Sequence, residues 1–181
     1  MFYIVSITIF LYTASTGEKM EPSAEVRIEK KMAGLGLTVS VAESITGGLI
    51  GSRLTDVAGS SLYFLGGVVA YSNDAKVKLL GVRQETLARH GAVSEQTARE
   101  MAEGVRQCFG TDIGLAVSGI AGPGGATKDK PVGLMWLALN AKGGTLSRSV
   151  RLSGDRLQNK AGAAGQVLAL LEEYLDPLLP D

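Results

Sequence analysis

The chain has 181 residues, of which 45% are hydrophobic and 20% are charged, so its composition is that of a folded globular protein rather than a disordered one. Eighteen basic residues balance eighteen acidic residues, which argues against a nucleic-acid-binding protein, since such proteins usually carry an excess of clustered positive charge. The single cysteine, Cys108, and the single histidine, His90, exclude an internal disulfide and a zinc site built on cysteines or histidines, and they fit a reducing cytoplasm.

The first nineteen residues differ in character from the rest of the chain. Residues 1–12 are apolar and β-branched, but this run is shorter than the roughly 20 apolar residues that a membrane-spanning helix needs. No lysine or arginine precedes Lys19, whereas a signal peptide begins with basic residues. We therefore expect residues 1–19 to reflect a start site assigned too early, with residues 20–181 forming a single domain that does not enter a membrane. A weak export or anchoring signal and an extra strand are the alternatives.

From residue 21 onward, helical and extended patterns alternate along the chain. Helices are predicted at residues 24–33, 49–55, 75–80, 94–109 and 155–174. Strands are predicted at residues 37–42, 62–71, 112–118, 132–140 and 145–152, of which the last two form a hairpin. This order of elements predicts a three-layer α/β/α sandwich with a mostly parallel, mixed sheet.

Three single features carry further structural predictions. The pair Gly66-Gly67 inside the second strand indicates a bulge or close packing against a neighbour. His90, directly before Gly91, is predicted to be the last residue of a helix. Cys108 is predicted to face the core from the helix that ends near residue 109.

Ser44 lies where the first predicted strand gives way to a helix. Ligands of α/β proteins bind at the carboxyl ends of the strands, and the free N–H groups of a helix start favour a developing negative charge. Ser44 is therefore a candidate nucleophile, provided that a neighbouring group can take its proton. The alternative is that Ser44 or Thr46 only caps the helix.

Tyr71 and Lys76 follow the second predicted strand and lie at the same edge of the sheet as Ser44 if the two strands are parallel. A lysine acts as a general base only when burial or a nearby cation lowers its pKa from about 10.4. The alternative for Lys76 is an exposed side chain in the first turn of a helix. A site of the Ser-Lys or Ser-Tyr-Lys type would allow catalysis without a histidine.

A glycine-rich loop at residues 119–125 follows the third predicted strand. Its glycines permit a close backbone approach to a ligand, so the loop could bind a phosphate or supply donors to an oxyanion. It lacks the Gly-Lys-Ser/Thr ending of a P-loop and the spacing of a dinucleotide-binding loop. A flexible connection is the alternative. Arg156, at the start of the last helix, could bind a phosphate or a carboxylate.

Seven short segments, taken in order, resemble the C-terminal domain of the competence-damage protein CinA. They are residues 42–48, 66–76, 79–82, 91–94, 117–125, 130–133 and 154–156. Each segment is weak by itself, but the ordered set is specific and covers residues 26–174. The family also occurs as a stand-alone nicotinamide-nucleotide amidase.

This resemblance implies that nicotinamide mononucleotide is hydrolysed to nicotinate mononucleotide and ammonia, without a metal or a cofactor. Ser44 would be the nucleophile, activated by Lys76 and Tyr71, and which of these two is the general base stays open. The implied substrate-binding residues are Thr46, Gly47 and Gly48 around the oxyanion, Ser118, Gly119, Gly122 and Gly124 in the loop, and Arg156 and Lys160 near the phosphate.

Two departures from the family pattern bear on the substrate. Ile45 replaces a usual cysteine, which concerns packing, and Lys160 replaces an arginine, which leaves a point charge with poorer geometry for a phosphate. An amidase for a different amide is therefore one alternative. A non-catalytic binding module linked to competence or DNA damage is another. We expect a homodimer or a larger homo-oligomer.

Overall fold

The computed structural model describes residues 21–179, so the prediction for residues 1–19 lies outside the described residues. The helices are α1 (Ala24–Leu35), α2 (Leu49–Thr55), α3 (Asn73–Leu80), α4 (Gln84–His90), α5 (Glu95–Phe109) and α6 (Arg156–Leu175). The strands are β1 (Val39–Glu43), β2 (Phe64–Val69), β3 (Ile113–Gly119), β4 (Leu134–Ala141) and β5 (Gly144–Arg151). Among these helices, none is both long and apolar enough to cross a bilayer.

The five strands form one mixed sheet in the order β2-β1-β3-β4-β5. β1 pairs in parallel with β2 and β3, whereas β4 runs antiparallel to both of its neighbours. Four strands therefore point one way and β4 the other, which confirms the predicted mixed α/β/α sandwich. The C-terminal ends of β1, β2 and β3 lie at the same side of the sheet, which we call the carboxyl edge.

Two apolar cores lie on the two faces of the sheet. One core joins β-strand residues to α1, α2 and α6, and the other joins them to α3, α4 and α5. Consecutive residues of β3 serve both cores, because Val117 packs in the first and Ala116 in the second. β3 is therefore apolar apart from Ser118, as is typical of a strand covered on both faces.

The Gly66-Gly67 pair marks close packing, as predicted. A Cβ atom at Gly66 would lie 2.5 Å from the Phe109 ring, and one at Gly67 would lie 2.5 Å from Val41 Cγ2. The register between β1 and β2 also shifts at this point. His90 ends α4, as predicted. The prediction for Cys108 is wrong, because its side chain is exposed and Phe109 is the residue that packs against the core.

An ion cluster joins α1 to the far end of α6, about 24 Å along that helix from the carboxyl edge. Arg27 binds the Glu172 carboxylate with two hydrogen bonds of 2.6 and 2.8 Å, and Lys31 Nζ lies 2.9 Å from Glu172 Oε1. Hydrogen bonding from Arg27, and then from Lys31, lowers the pKa of Glu172 to about 2 despite its partial burial.

Candidate active site

The turn that carries Ser44 is held by the carboxylate of Glu43. This side chain is 1% exposed and accepts hydrogen bonds from the N–H groups of Gly48, Ile50 and Gly51 at 2.9–3.1 Å. The carboxylate thus caps the start of α2, where free N–H groups favour a negative charge. The Gly48 N–H, one of the predicted ligand contacts, is therefore bound to the protein itself.

Sequence reasoning missed Glu43, although a signal was available. A carboxylate at the last position of a buried strand, a few residues before a helix start, needs donors, and that helix start supplies them. Gly47 and Gly48 have φ angles of 66° and 101°, so the tight turn between the strand and α2 requires glycine at both positions.

Lys76 lies directly beside Ser44. Its Nζ atom is 3.0 Å from Ser44 Oγ and donates a second hydrogen bond of 2.8 Å to the carbonyl oxygen of Ala70, at the end of β2. The lysine is 1% exposed, which rules out the alternative of a surface side chain. The structure thus brings together these two sequence-predicted residues.

Burial lowers the pKa of the Lys76 amine from its ordinary value of 10.5. Among residues 21–179, no carboxylate lies within ion-pair distance of Nζ, so no opposite charge offsets the cost of removing the ammonium from water. A buried lysine without a counter-ion favours the neutral amine, and a neutral amine can accept the proton of a neighbouring hydroxyl.

Tyr71 is not brought to Ser44 in the same way. Its side chain is exposed, and its hydroxyl accepts a hydrogen bond of 2.9 Å from Arg156 Nη2. Arg156 Nη1 donates a second hydrogen bond of 2.9 Å to the carbonyl oxygen of Gly122. Tyr71 and Arg156 therefore link the end of β2 to the glycine-rich loop and to the start of α6.

The glycine-rich loop is fixed by packing and by a buried asparagine. A Cβ atom at Gly119 would lie 2.2 Å from Met135 Sδ and one at Gly122 would lie 2.7 Å from Val132, whereas Gly124 has open space around it. Asn159, 1% exposed, donates hydrogen bonds to the carbonyl oxygens of Ala121 and Gly154 at 3.0 and 2.8 Å. Sequence reasoning missed Asn159, because its bond to Ala121 joins segments that are far apart in the chain.

Ser118 faces the side of the sheet covered by α5. Its hydroxyl is 1% exposed and donates a hydrogen bond of 2.7 Å to the carbonyl oxygen of Ala92. Ser118 therefore fixes the segment that precedes α5.

A cavity of about 400 Å³, which we call the Lys160 cavity, opens between the start of α2 and the start of α6. It is lined by Thr46, Gly47, Gly48, Leu49, Ser52, Leu157 and Lys160. Lys160 Nζ lies over Gly47, 3.7 Å from where a Cβ atom of that residue would be. Thr46 Oγ1 is buried and has no hydrogen-bond partner among the described residues.

None of the described residues forms a group of three His, Cys, Asp or Glu side chains suited to a metal ion. The chemistry that the site itself offers is a hydroxyl nucleophile, a buried amine and a strand–turn–helix corner.

Comparisons with known proteins agree with this architecture. The family profile described as CinA C-terminal domain matches residues 21–175. A CinA-like protein of Kosmotoga olearia is 49% identical over 168 residues, covering 93% of this chain and 40% of the relative. A putative competence-damage inducible protein of Desulforudis audaxviator is 53% identical over 141 residues, covering 78% of this chain and 34% of the relative. The matched part of the chain thus spans two fifths or less of these two relatives.

Solved structures show the same fold. The competence/damage inducible protein CihA from Agrobacterium tumefaciens superposes with a TM-score of 0.82 at 42% identity, covering 88% of this chain and 99% of that one. A CinA superfamily protein from Klebsiella pneumoniae gives a TM-score of 0.82 at 37% identity, covering 84% and 96% of the two chains.

Proposed function

Because the chain belongs to the CinA C-terminal domain family, we propose that it is an amidohydrolase that deamidates nicotinamide mononucleotide with Ser44 as its nucleophile. One observation carries the proposal, namely the buried Lys76 amine 3.0 Å from Ser44 Oγ. Structural lysines are seldom buried without a carboxylate partner, and an amine of lowered pKa beside a hydroxyl is typical of a catalytic pair.

In the proposed first step, Ser44 Oγ bonds to the carboxamide carbon while Lys76 Nζ takes the hydroxyl proton. The carbon–nitrogen bond then breaks, and the lysine returns that proton to the nitrogen, which leaves as ammonia. In the second step, water attacks the acyl ester and gives a proton to Lys76. The acid is released as Ser44 regains its hydroxyl, so one water is consumed for each ammonia.

The developing negative charge on the carbonyl oxygen needs donors near Ser44. The Gly48 N–H already donates to the Glu43 carboxylate. We therefore propose that the N–H of Ile45 donates a hydrogen bond to the oxyanion. The residue after the nucleophile supplies this donor in serine hydrolases with a similar strand–turn–helix corner. Glu43 would hold the turn in place without touching the substrate.

The cavity between α2 and α6 suits the anionic end of a mononucleotide. Lys160 supplies a positive charge over Gly47, and Thr46 supplies a hydroxyl that none of the described residues binds. The cationic pyridinium ring would make the carboxamide carbon more electrophilic at Ser44. Arg156 already binds Tyr71 and Gly122, so we propose that it shapes the loop at the mouth of the site.

Ammonia release from nicotinamide mononucleotide by the purified chain tests the proposal. We expect release by the wild type and by Ser61→Ala, a matched change at an exposed serine, and no release by Ser44→Ala with an unchanged thermal unfolding profile. No release by a folded wild type would contradict nicotinamide mononucleotide as the substrate. Release that survives in Ser44→Ala would contradict the assigned nucleophile.

A further inference from the structure

A second cavity, of about 540 Å³, lies on the other face of the sheet, against β4 and the start of α5. We call it the Trp136 cavity. Its apolar lining comes from Trp136, Leu134 and Val93, and its charged lining from Arg89, Lys130 and Asp129. The chain's single tryptophan and its single histidine, His90, both line this cavity.

The strand register places this cavity beside the candidate active site but separate from it. Glu43 pairs with Val117 and Ser118 pairs with Trp136, so Trp136 is two strands, about 10 Å, from the turn that carries Ser44. The segment of residues 91–93 lies between them, held by the bond from Ser118 to Ala92, and none of the residues lining the Lys160 cavity lines this one.

The positive charges of Arg89 and Lys130, which line this cavity, are only weakly neutralised by other described residues. Arg89 lies 3.8 Å from Glu85, and both side chains are about three quarters exposed, so this contact is worth little. Lys130 Nζ donates to the carbonyl oxygen of His90, which holds the amine at the cavity without neutralising its charge. Arg89 and Lys130 therefore remain available to an anion.

An aromatic wall next to two cations favours one class of ligand. The partly buried indole of Trp136 lines the cavity, and an indole is a side chain on which planar rings stack. An arginine binds phosphate through paired N–H groups, and a lysine adds a compact positive charge. A single carboxylate, Asp129, can accept hydrogen bonds from the hydroxyl groups of a sugar.

We propose that the Trp136 cavity is a second ligand site, which binds a planar aromatic compound with a phosphate group, such as a nucleoside monophosphate. The site does not depend on the amidase activity proposed for Ser44.

Tryptophan fluorescence tests this proposal directly, because the only indole of the chain is in the cavity. The full chain is titrated with adenosine monophosphate, with excitation at the red edge of the tryptophan band, where adenine does not absorb. We expect saturable quenching by the nucleotide and weaker binding of adenosine and of inorganic phosphate, since each carries only half of the recognised chemistry.

Variants that remove positive charges but keep Trp136, whose fluorescence reports binding, locate the binding site. Arg89→Ala with Lys130→Ala should weaken adenosine monophosphate binding by about tenfold or more, the loss expected for charge-assisted contacts. The matched double variant Lys78→Ala with Lys142→Ala removes two exposed charges elsewhere and should leave binding unchanged. Ser44→Ala and Lys160→Ala should also bind as the wild type does.

Two results would overturn the proposal. Either the folded wild type shows no saturable quenching, or the quenching is lost in Lys160→Ala and kept in the Arg89/Lys130 variant. The second result would place the nucleotide in the Lys160 cavity instead. Neither depends on ammonia release, so failure of this proposal and failure of the amidase proposal are distinguishable.

Discussion

Lys76 at the carboxyl edge and Glu172 near the far end of α6 are both ionisable side chains largely removed from water, but their surroundings differ. Glu172 is bound by Arg27 and Lys31, and these contacts lower its pKa to about 2. Among residues 21–179, the partners of Lys76 are the Ser44 hydroxyl and a backbone carbonyl, and burial lowers its pKa. The ion pairs of Glu172 stabilise the fold, whereas Lys76, without such a pair, is an amine that can accept a proton.

A comparison of two lysines, Lys31 in α1 and Lys76 in α3, leads to the same conclusion. Partial burial acts to lower the pKa of Lys31, but its hydrogen bonds to Asp176 and Glu172 outweigh this effect and raise it. The pKa of Lys76 is lowered by burial, and no acid within the described part of the chain pairs with it. The same residue type is thus a cation in one place and a potential base in the other, depending on its partners.

The largest expected effect is on catalysis. Lys76→Met keeps the apolar part of the side chain but removes the amine, so Ser44 loses its proton acceptor, and we expect amidase activity to fall by about 10³-fold or more. Lys78→Met, a change at an exposed lysine of the same helix, should leave the activity near that of the wild type. Initial rates of ammonia release measure both. Comparable activity in the two variants would contradict the role of Lys76 as a base and so remove the functional difference between Lys76 and Glu172.

Glu43→Gln should have the next largest effect. The amide group would direct hydrogen atoms at N–H groups that now point at a carboxylate, and a lost set of buried charge-assisted bonds costs about 3 kcal/mol. We expect a lower urea midpoint and a lower kcat for ammonia release, because the turn that carries Ser44 loosens. An unchanged kcat in a destabilised variant would limit Glu43 to a role in stability.

Glu172→Gln should reduce stability by about 2 kcal/mol at neutral pH while leaving activity unchanged. The folded-state pKa lies below the ordinary value of 4.5, so the contribution is complete above pH 4.5 and is lost as the pH falls toward 2. Urea unfolding at pH 7 and at pH 3 measures this dependence. A difference between wild type and variant that does not shrink at pH 3 would contradict the ion-cluster account.

Lys76→Met should raise stability slightly, by about 1 kcal/mol near neutral pH, because a buried amine without a counter-ion is replaced by an apolar chain. The unfolded state binds more protons between the lowered pKa and 10.5, so the wild type gains stability as the pH rises through that range. The advantage of the variant should therefore shrink toward pH 10.5. Thermal unfolding across this range would show the opposite trend if burial raised the pKa.

The smallest effect is expected for an exposed pair. Arg148 and Glu173 lie 2.6 Å apart, but about half of each side chain is exposed, so Arg148→Ala should cost less than about 1 kcal/mol. Urea unfolding beside Glu172→Gln gives the comparison. A loss as large as that of Glu172→Gln would mean that burial is not what separates the two pairs.

The meeting of Ser44 and Lys76 could be predicted from the sequence because both follow strands that run in parallel, and parallel strands end at one edge of a sheet. The side chains that hold the site could not be predicted in this way. Glu43 and Asn159 bind backbone groups whose positions depend on the folded turn and loop. Tyr71 and Arg156 are far apart in the chain, and their mutual bond appears only in the fold.

The prediction for Cys108 failed for a different physical reason. The buried positions of α5 include Met101 and Val105, and a step of four residues from Val105 leads to Phe109 rather than to Cys108. The prediction placed the apolar face of the helix one residue out of phase, so it assigned Cys108 to the core instead of Phe109. The close contact of Phe109 with Gly66 shows which residue of the helix faces the sheet. Because this contact joins residues that are distant in the chain, the local sequence pattern does not reveal it.

The central claim is that Lys76 is a base of lowered pKa beside Ser44, and an NMR titration of lysines labelled with ¹³C at Cε tests it most directly. We expect one lysine signal to titrate below the ordinary value of 10.5 and to be absent from the spectrum of Lys76→Met. If that signal instead titrates at or above 10.5, Lys76 is an ordinary cation at neutral pH, and the account of Ser44 activation is contradicted.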